Sequence, residues 1–183
     1  MAQSDAFYKP TARALHWLVA LLLVATIPAG VIMVQEGLSR GVQDSLYLLH
    51  KNVGVLILVL VIVRIIYRTA NPPPPMPSVV SPSQRRIAEA VHILLYVLLI
   101  VMSVSGYVRV SAGGFPIEML DAIGVPRLPK SEPVANFAKA VHFWARFALI
   151  GLIAAHVGAA LYHGIVKKDG VFSRMWPAAA RKG

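Results

Sequence analysis

Long apolar runs alternate along the chain with short polar connectors. Four runs, at about residues 14–34, 46–66, 87–108 and 137–166, are long enough to cross a bilayer, which takes about 20 apolar residues at about 1.5 Å of rise each. The first carries His16-Trp17 at its entry and lacks a small-residue cleavage site, so it reads as an anchored span and not as a removable leader. Between the second and third runs, residues 71–77 read NPPPPMP, a stiff connector that cannot be helical. Between the third and fourth lies a longer loop, 111–132, in which 117–123 has the pattern of a short surface helix. The expected fold is therefore all-α: a single integral-membrane four-helix bundle occupying residues 1–183.

Charge adds an orientation. Arg13, Arg64, Arg68, Arg85, Arg86, Lys167, Lys168, Arg174, Arg181 and Lys182 join Lys9 at one end of such a bundle, against Asp5, Glu89 and Asp169, a balance of +8. The opposite end holds seven basic and five acidic residues, a balance of +2. Cytoplasmic loops carry the Lys/Arg excess, so both termini are expected in the cytoplasm. The net +10 thus reads as a topology signal with attraction to anionic lipid, and not as a nucleic-acid surface. With 57% apolar and only 14% charged residues, a soluble two-domain enzyme is excluded. The absence of cysteine removes disulfides, Cys-ligated zinc, iron–sulfur clusters and covalently attached haem.

That leaves histidine. All six fall in or beside the apolar runs: His16, His50, His92, His142, His156 and His163. Ionisable groups at membrane depth are costly, and by default they mark function. His142 and His156 lie 14 residues apart, so they share one helix face about 21 Å apart. His50 shares the depth of His142, and His16 approaches that of His156. Two cross-helix pairs stacked through the bilayer can hold two bis-histidine haems. His92 and His163 lie near the inner leaflet as well; His163, two turns beyond His156 and about 10 Å nearer the cytoplasm, is slightly disfavoured by depth, whereas depth leaves His92 open as an inner ligand. Met33 and Met102 rank below the histidines as ligands. Gly30, Gly54, Gly106, Gly151 and Gly158 offer places where a flat ring can approach a helix. No carboxylate occupies a span centre, which disfavours histidine-based metal transport.

The ordered set of motifs resembles the bacterial cytochrome b561 family over nearly the whole chain. It comprises Arg13-Ala-Leu-His16-Trp17, His50-Lys-Asn-Val-Gly54, Arg64-Ile-Ile-Tyr-Arg68 with the proline connector, Ala90-Val-His92, and His142, His156 and His163 running into Lys168-Asp169-Gly170 and Arg174-Met175-Trp176-Pro177. The resemblance implies two haem b groups in a bacterial inner membrane, His50 with His142 as the outer pair and His16 with His156 as the inner. It also implies ubiquinone at the cytoplasmic side beside His92 and His163, and for some members superoxide as the periplasmic donor. Arg64 is then a partner for haem propionates or quinone. Lys51 and Arg146 belong to a set of outer cations suited to drawing in a small anion. The rival expectation is a membrane anchor and electron relay within a larger dehydrogenase or hydrogenase complex.

Overall fold

The computed structural model describes residues 7–176, all in helices and connectors. Asp5, Pro177, Arg181 and Lys182, named above, lie outside the described residues. Four long helices carry the four apolar runs: α1 (Pro10–Ile32), α2 (Arg40–Ala70), α3 (Pro82–Ala112) and α5 (Glu132–Leu161), with the short α4 (Glu118–Ala122) between the last two. A π-helical turn, Tyr162–Lys167, continues α5.

Each long helix outruns its apolar run by several residues at one or both ends. At 31 residues, α2 extends about 46 Å, well past a hydrocarbon core about 30 Å thick, so its polar ends stand in the headgroup region. Proline in the first turn starts α1, α3 and α5, where its missing N–H costs nothing. In α3 a capping box reinforces the start: the Ser81 hydroxyl accepts from Gln84 N–H, and the Gln84 side chain accepts from Ser81 N–H. Ser81 and Gln84 therefore set where the proline connector ends.

Val19, Ile57, Val61, Leu99 and Leu149, one or two from each long helix, form the buried centre. Val61 is wholly buried, while Val24 is 72% and Trp144 70% exposed. The bundle is thus apolar outside as well as inside, as lipid requires. Close packing joins α3 to α5, α1 to α2 and α2 to α3, yet neither α1 nor α2 brings a Cα within 8 Å of α5. The space between that helix pair and α5 is crossed by side chains.

At one end, the N-terminal segment, the α2–α3 connector and the C-terminal segment are laced together. Lys9 donates to Asn71 (2.7 Å), Trp17 to the Met175 carbonyl (2.8 Å), and Arg174 to the Pro74 carbonyl (2.6 Å). This is the end that carries the larger basic excess. At the other end α4 is fastened to α2: Lys51 Nζ reaches Glu118 (2.7 Å) and the Pro116 carbonyl, while Asn52 both donates to Glu118 (2.9 Å) and accepts from Met119 N–H.

Candidate functional site

The histidines gather at two levels, above and below the buried centre. Leu149 lies seven residues from both His142 and His156, so it separates the two levels on the same helix face.

At the level near α4, His50 of α2 faces His142 of α5 with ring centroids 6.1 Å apart. Each ring is held by a backbone carbonyl from a third helix. His50 Nδ1 donates to the Thr26 carbonyl at 2.9 Å, and His142 Nδ1 to the Met102 carbonyl at 3.0 Å. The hydroxyls of Thr26 and Ser105 lie 3.2 Å from the same nitrogens. With Nδ1 carrying the proton, Nε2 keeps its lone pair, the tautomer a metal-binding imidazole needs.

The same backbone device appears twice. Four residues after Thr26 comes Gly30, and four after Met102 comes Gly106. A Cβ on Gly30 would lie 2.5 Å from His50 Cε1, and one on Gly106 would lie 3.2 Å from His142 Cε1. Glycine at that offset uncovers the helix carbonyl one turn earlier and makes room for the imidazole beside it. Gly54, one turn past His50 on nearly the same face, has nothing within 4 Å of a would-be Cβ. Gly151 and Gly158 point the other way: they fall on the face of α5 opposite His142 and His156 and are exposed there, so they do not border the histidine levels.

At the other level three imidazoles converge. His16 of α1 faces His156 of α5 at 6.2 Å, and His92 of α3 lies 5.5 Å from the same His156 ring. His16 Nδ1 is buried without a hydrogen-bond partner, the state of a nitrogen suited to a non-protein ligand. Arg64 stands close enough to His16, His92 and His156 to act on all three electrostatically, and its guanidinium lies over the Tyr96 ring (5.4 Å). His163 is apart from this group. It makes ring contact with Tyr162 and hydrogen-bonds Asp169 at 2.6 Å.

The pair separations test whether an iron fits between the rings. A metal–nitrogen bond of about 2.0 Å plus about 1.1 Å from nitrogen to ring centre, taken on both sides, gives about 6.2 Å for two imidazoles trans across one metal. His50/His142 and His16/His156 match that spacing; the His92–His156 separation is too short for it.

Among the cations expected around the outer pair, Lys51 is bound to Glu118, Arg127 to Asp121, and Arg146 lies between the rings of Phe143 (4.1 Å) and Phe147 (4.6 Å). Burial pushes the Glu118 carboxyl up, but hydrogen bonds from Lys51 and Asn52 outweigh it and hold the group below the usual carboxylate range. The cation within electrostatic reach of both His50 and His142 is Arg109, near the end of α3. Its place three residues after Gly106 is the signal that sequence reading passed over, as it passed over Thr26 and Ser105.

Four apolar helices with imidazoles opposed across the interior at two depths define a membrane b-type cytochrome, in which histidine nitrogens hold haem iron inside a bundle. Comparison with known proteins agrees. The chain matches the prokaryotic cytochrome b561 family over residues 8–178, and it belongs to that family of haem b-binding membrane electron-transfer proteins. It is 35% identical over 170 residues to cytochrome b561 homolog 2 of Escherichia coli K12, covering 92% of this chain and 90% of that one. It is 30% identical over 172 residues to cytochrome b561 homolog 1 of the same organism, covering 89% and 93%. A protein named probable superoxide oxidase CybB, from Yersinia pestis, is 29% identical over 163 residues, covering 89% and 92%. The chain is accordingly a multi-pass protein of a bacterial membrane.

Proposed function

We propose that the chain holds two haem b groups and moves electrons from superoxide at the periplasmic face of the inner membrane to ubiquinone at the cytoplasmic face. His50 and His142 would hold the outer haem, His16 and His156 the inner. The observation that carries this reading is the pair of ring separations, 6.1 and 6.2 Å, each suited to one metal between two imidazoles. Superoxide as donor is supported by the name of the Yersinia relative. The +8 end, with both termini, would be cytoplasmic.

Bound haem would supply one-electron carriers at both depths. The protein's own part follows from its residues. The Thr26 and Met102 carbonyls fix the outer imidazoles in tautomer and orientation. Val19, Ile57, Val61, Leu99 and Leu149 close the middle of the bundle to water and ions, so charge crosses as electrons alone. Arg109 gives the outer level a positive field toward an approaching anion, while Lys51 fastens α4 over that end. At the inner end Arg64, His92 and His163 are the groups available to hydrogen-bond a quinone or a propionate, with His163 able to pass a proton. In balance, two superoxide ions each lose one electron and leave as dioxygen. One ubiquinone gains two electrons and two protons and leaves as quinol.

The reduced-minus-oxidised visible spectrum of the purified protein, with haem counted per chain, tests the proposal. Two b-type haems are expected, His142→Ala and His156→Ala each removing a different one. Superoxide should reduce the protein and yield quinol when ubiquinone is present. One haem per chain, or superoxide that leaves the protein oxidised, overturns the corresponding part.

A further inference from the structure

Where α5 ends, the chain builds a turn that its length alone does not require. The helix widens into the π-helical stretch Tyr162–Lys167, Lys168 takes a left-handed conformation (φ 50°), and Gly170 takes another (φ 85°). The reversal carries Phe172 against Gly164, where an added Cβ would meet the Phe172 side chain at 3.0 Å. It also carries Asp169 back onto His163. Asp169 Oδ2 lies 2.6 Å from His163 Nδ1, Oδ1 accepts from Val171 N–H at 3.2 Å, and the two side chains are only 14% and 18% exposed. Both carboxylate oxygens are therefore committed, and the ring is gripped by one nitrogen. Burial pushes the Asp169 carboxyl up, but the hydrogen bonds from His163 and Val171 outweigh it, so the group stays ionised. π-Helical turns cost hydrogen-bond geometry and occur preferentially at functional sites.

We propose that Asp169 is a positioning residue for proton transfer by His163 to quinone, an inference resting on the reading of His163 as a quinone-side group. With Nδ1–H directed at the carboxylate, Nε2 is the nitrogen that serves the substrate. As quinone gains its electrons from the superoxide-derived supply, the Nε2–H bond breaks and an O–H bond forms at a quinone oxygen. Asp169 keeps its negative charge throughout and balances the charge of the doubly protonated ring beforehand. The neutral imidazole then recovers a proton from water at the cytoplasmic end, and a second turn of the same transfer, one proton for each electron, completes the quinol. The arrangement has the logic of a carboxylate–histidine pair, in which the acid fixes tautomer and orientation without itself taking the proton.

The test uses the full-length, haem-loaded protein, reduced with dithionite and mixed rapidly with a short-chain ubiquinone while the haem absorption is followed. D169N should keep its haem content and difference spectrum. It should slow reoxidation at saturating quinone by about 10- to 100-fold while the half-saturating quinone concentration moves by less than about twofold, as loss of proton-transfer positioning predicts. D169E should recover most of the rate, and D169N should add nothing in an H163Q background. A D169N rate within twofold of the parent, or the same fold-loss with and without His163, overturns the inference. If H163Q itself reoxidises at the parent rate, it is the reading of His163 that fails. Should D169N lose haem or fail to fold, D169E decides: recovery within about threefold of the parent rate supports the role, and a loss beyond tenfold refutes it.

Discussion

Gly30→Ala should empty the outer site while leaving the inner one intact. The new Cβ would stand 2.5 Å from His50 Cε1 and 2.8 Å from Nδ1. Carbon atoms pack at about 3.5–4.0 Å, so the imidazole must retreat by about 1 Å. It cannot do so and keep its 2.9 Å bond to the Thr26 carbonyl, because that carbonyl lies on the same helix turn as the methyl. Retreat also disturbs the 6.1 Å separation from His142 that suits two metal–nitrogen bonds. Overpacking costs about 1–3 kcal/mol, more than the gain of up to about 1 kcal/mol from replacing glycine by alanine in a helix. Gly106→Ala is the graded control: its Cβ would meet His142 at 3.2 Å, which a shift of a few tenths of an ångström relieves. Haem per chain, by pyridine haemochrome, should fall from about two to about one in Gly30→Ala and remain about two in Gly106→Ala. A Gly30→Ala protein with two haems and unchanged bands would refute the backbone cradle.

Other perturbations probe the frame. Leu149→Ala removes a side chain 3% exposed at the bundle's centre and should cost about 2–4 kcal/mol, read as earlier thermal unfolding in detergent, whereas Val24→Ala on the lipid face should cost under about 0.5 kcal/mol. The Glu118 carboxyl is held below its ordinary value in the folded chain, so its contribution is complete above the ordinary carboxylate range and is lost as pH falls through the lowered folded value. Protection factors across residues 113–131, corrected for the intrinsic pH dependence of exchange, should therefore be lower at about pH 3 than at about pH 7, and Glu118→Gln should lower them at both. The pair is partly exposed, so the loss stays within about 1 kcal/mol. A fluorescent protein fused after Gly183 should fluoresce in the cytoplasm, and an alkaline phosphatase fused there should be inactive. The opposite pattern would reverse the assignment of sides.

The four spans and the two histidine levels were legible because both are local, periodic signals. An apolar run longer than a bilayer is thick has few alternatives, and a 14-residue spacing returns to one helix face whatever surrounds it. Long-range partners were not. Lys51 reads as a free cation until Glu118, 67 residues on, takes its charge. Nor is the local surrounding of Arg146, read as one of the cations that draw in an anion, legible: its guanidinium is stacked on Phe143 and Phe147 of its own helix. His92 falls at the right depth, but only the bundle's packing sets it 5.5 Å from His156. The π-helical turn that aims His163 at Asp169 leaves no periodic trace, because one widened turn changes the phase of only the residues beyond it. The cradles were half legible: glycines are visible in a sequence, but the carbonyl a glycine uncovers is not a side chain.

The two levels are built on different principles, and the difference bears on what each can do. At the outer level every imidazole has one nitrogen tied to a carbonyl from a neighbouring helix, with a glycine beside it and a hydroxyl in support. Such imidazoles are held in place by the Thr26 and Met102 carbonyls, with the buried hydroxyls of Thr26 and Ser105 beside them, and on the proposed reading they are ligands fixed before haem binds. The inner level has three imidazoles, an arginine, and a buried nitrogen on His16 with no hydrogen-bond partner, and it is the level nearer the laced end of the bundle, the end that also carries His163 and Asp169. Rigid ligation suits a site that only accepts and passes electrons. Electron transfer to quinone also requires protons at the same place, and protons require groups that can change partners. On the proposed reading, a surplus of histidine at the inner level is what that coupling asks for, and its absence at the outer level fits a donor that gives up an electron without exchanging a proton.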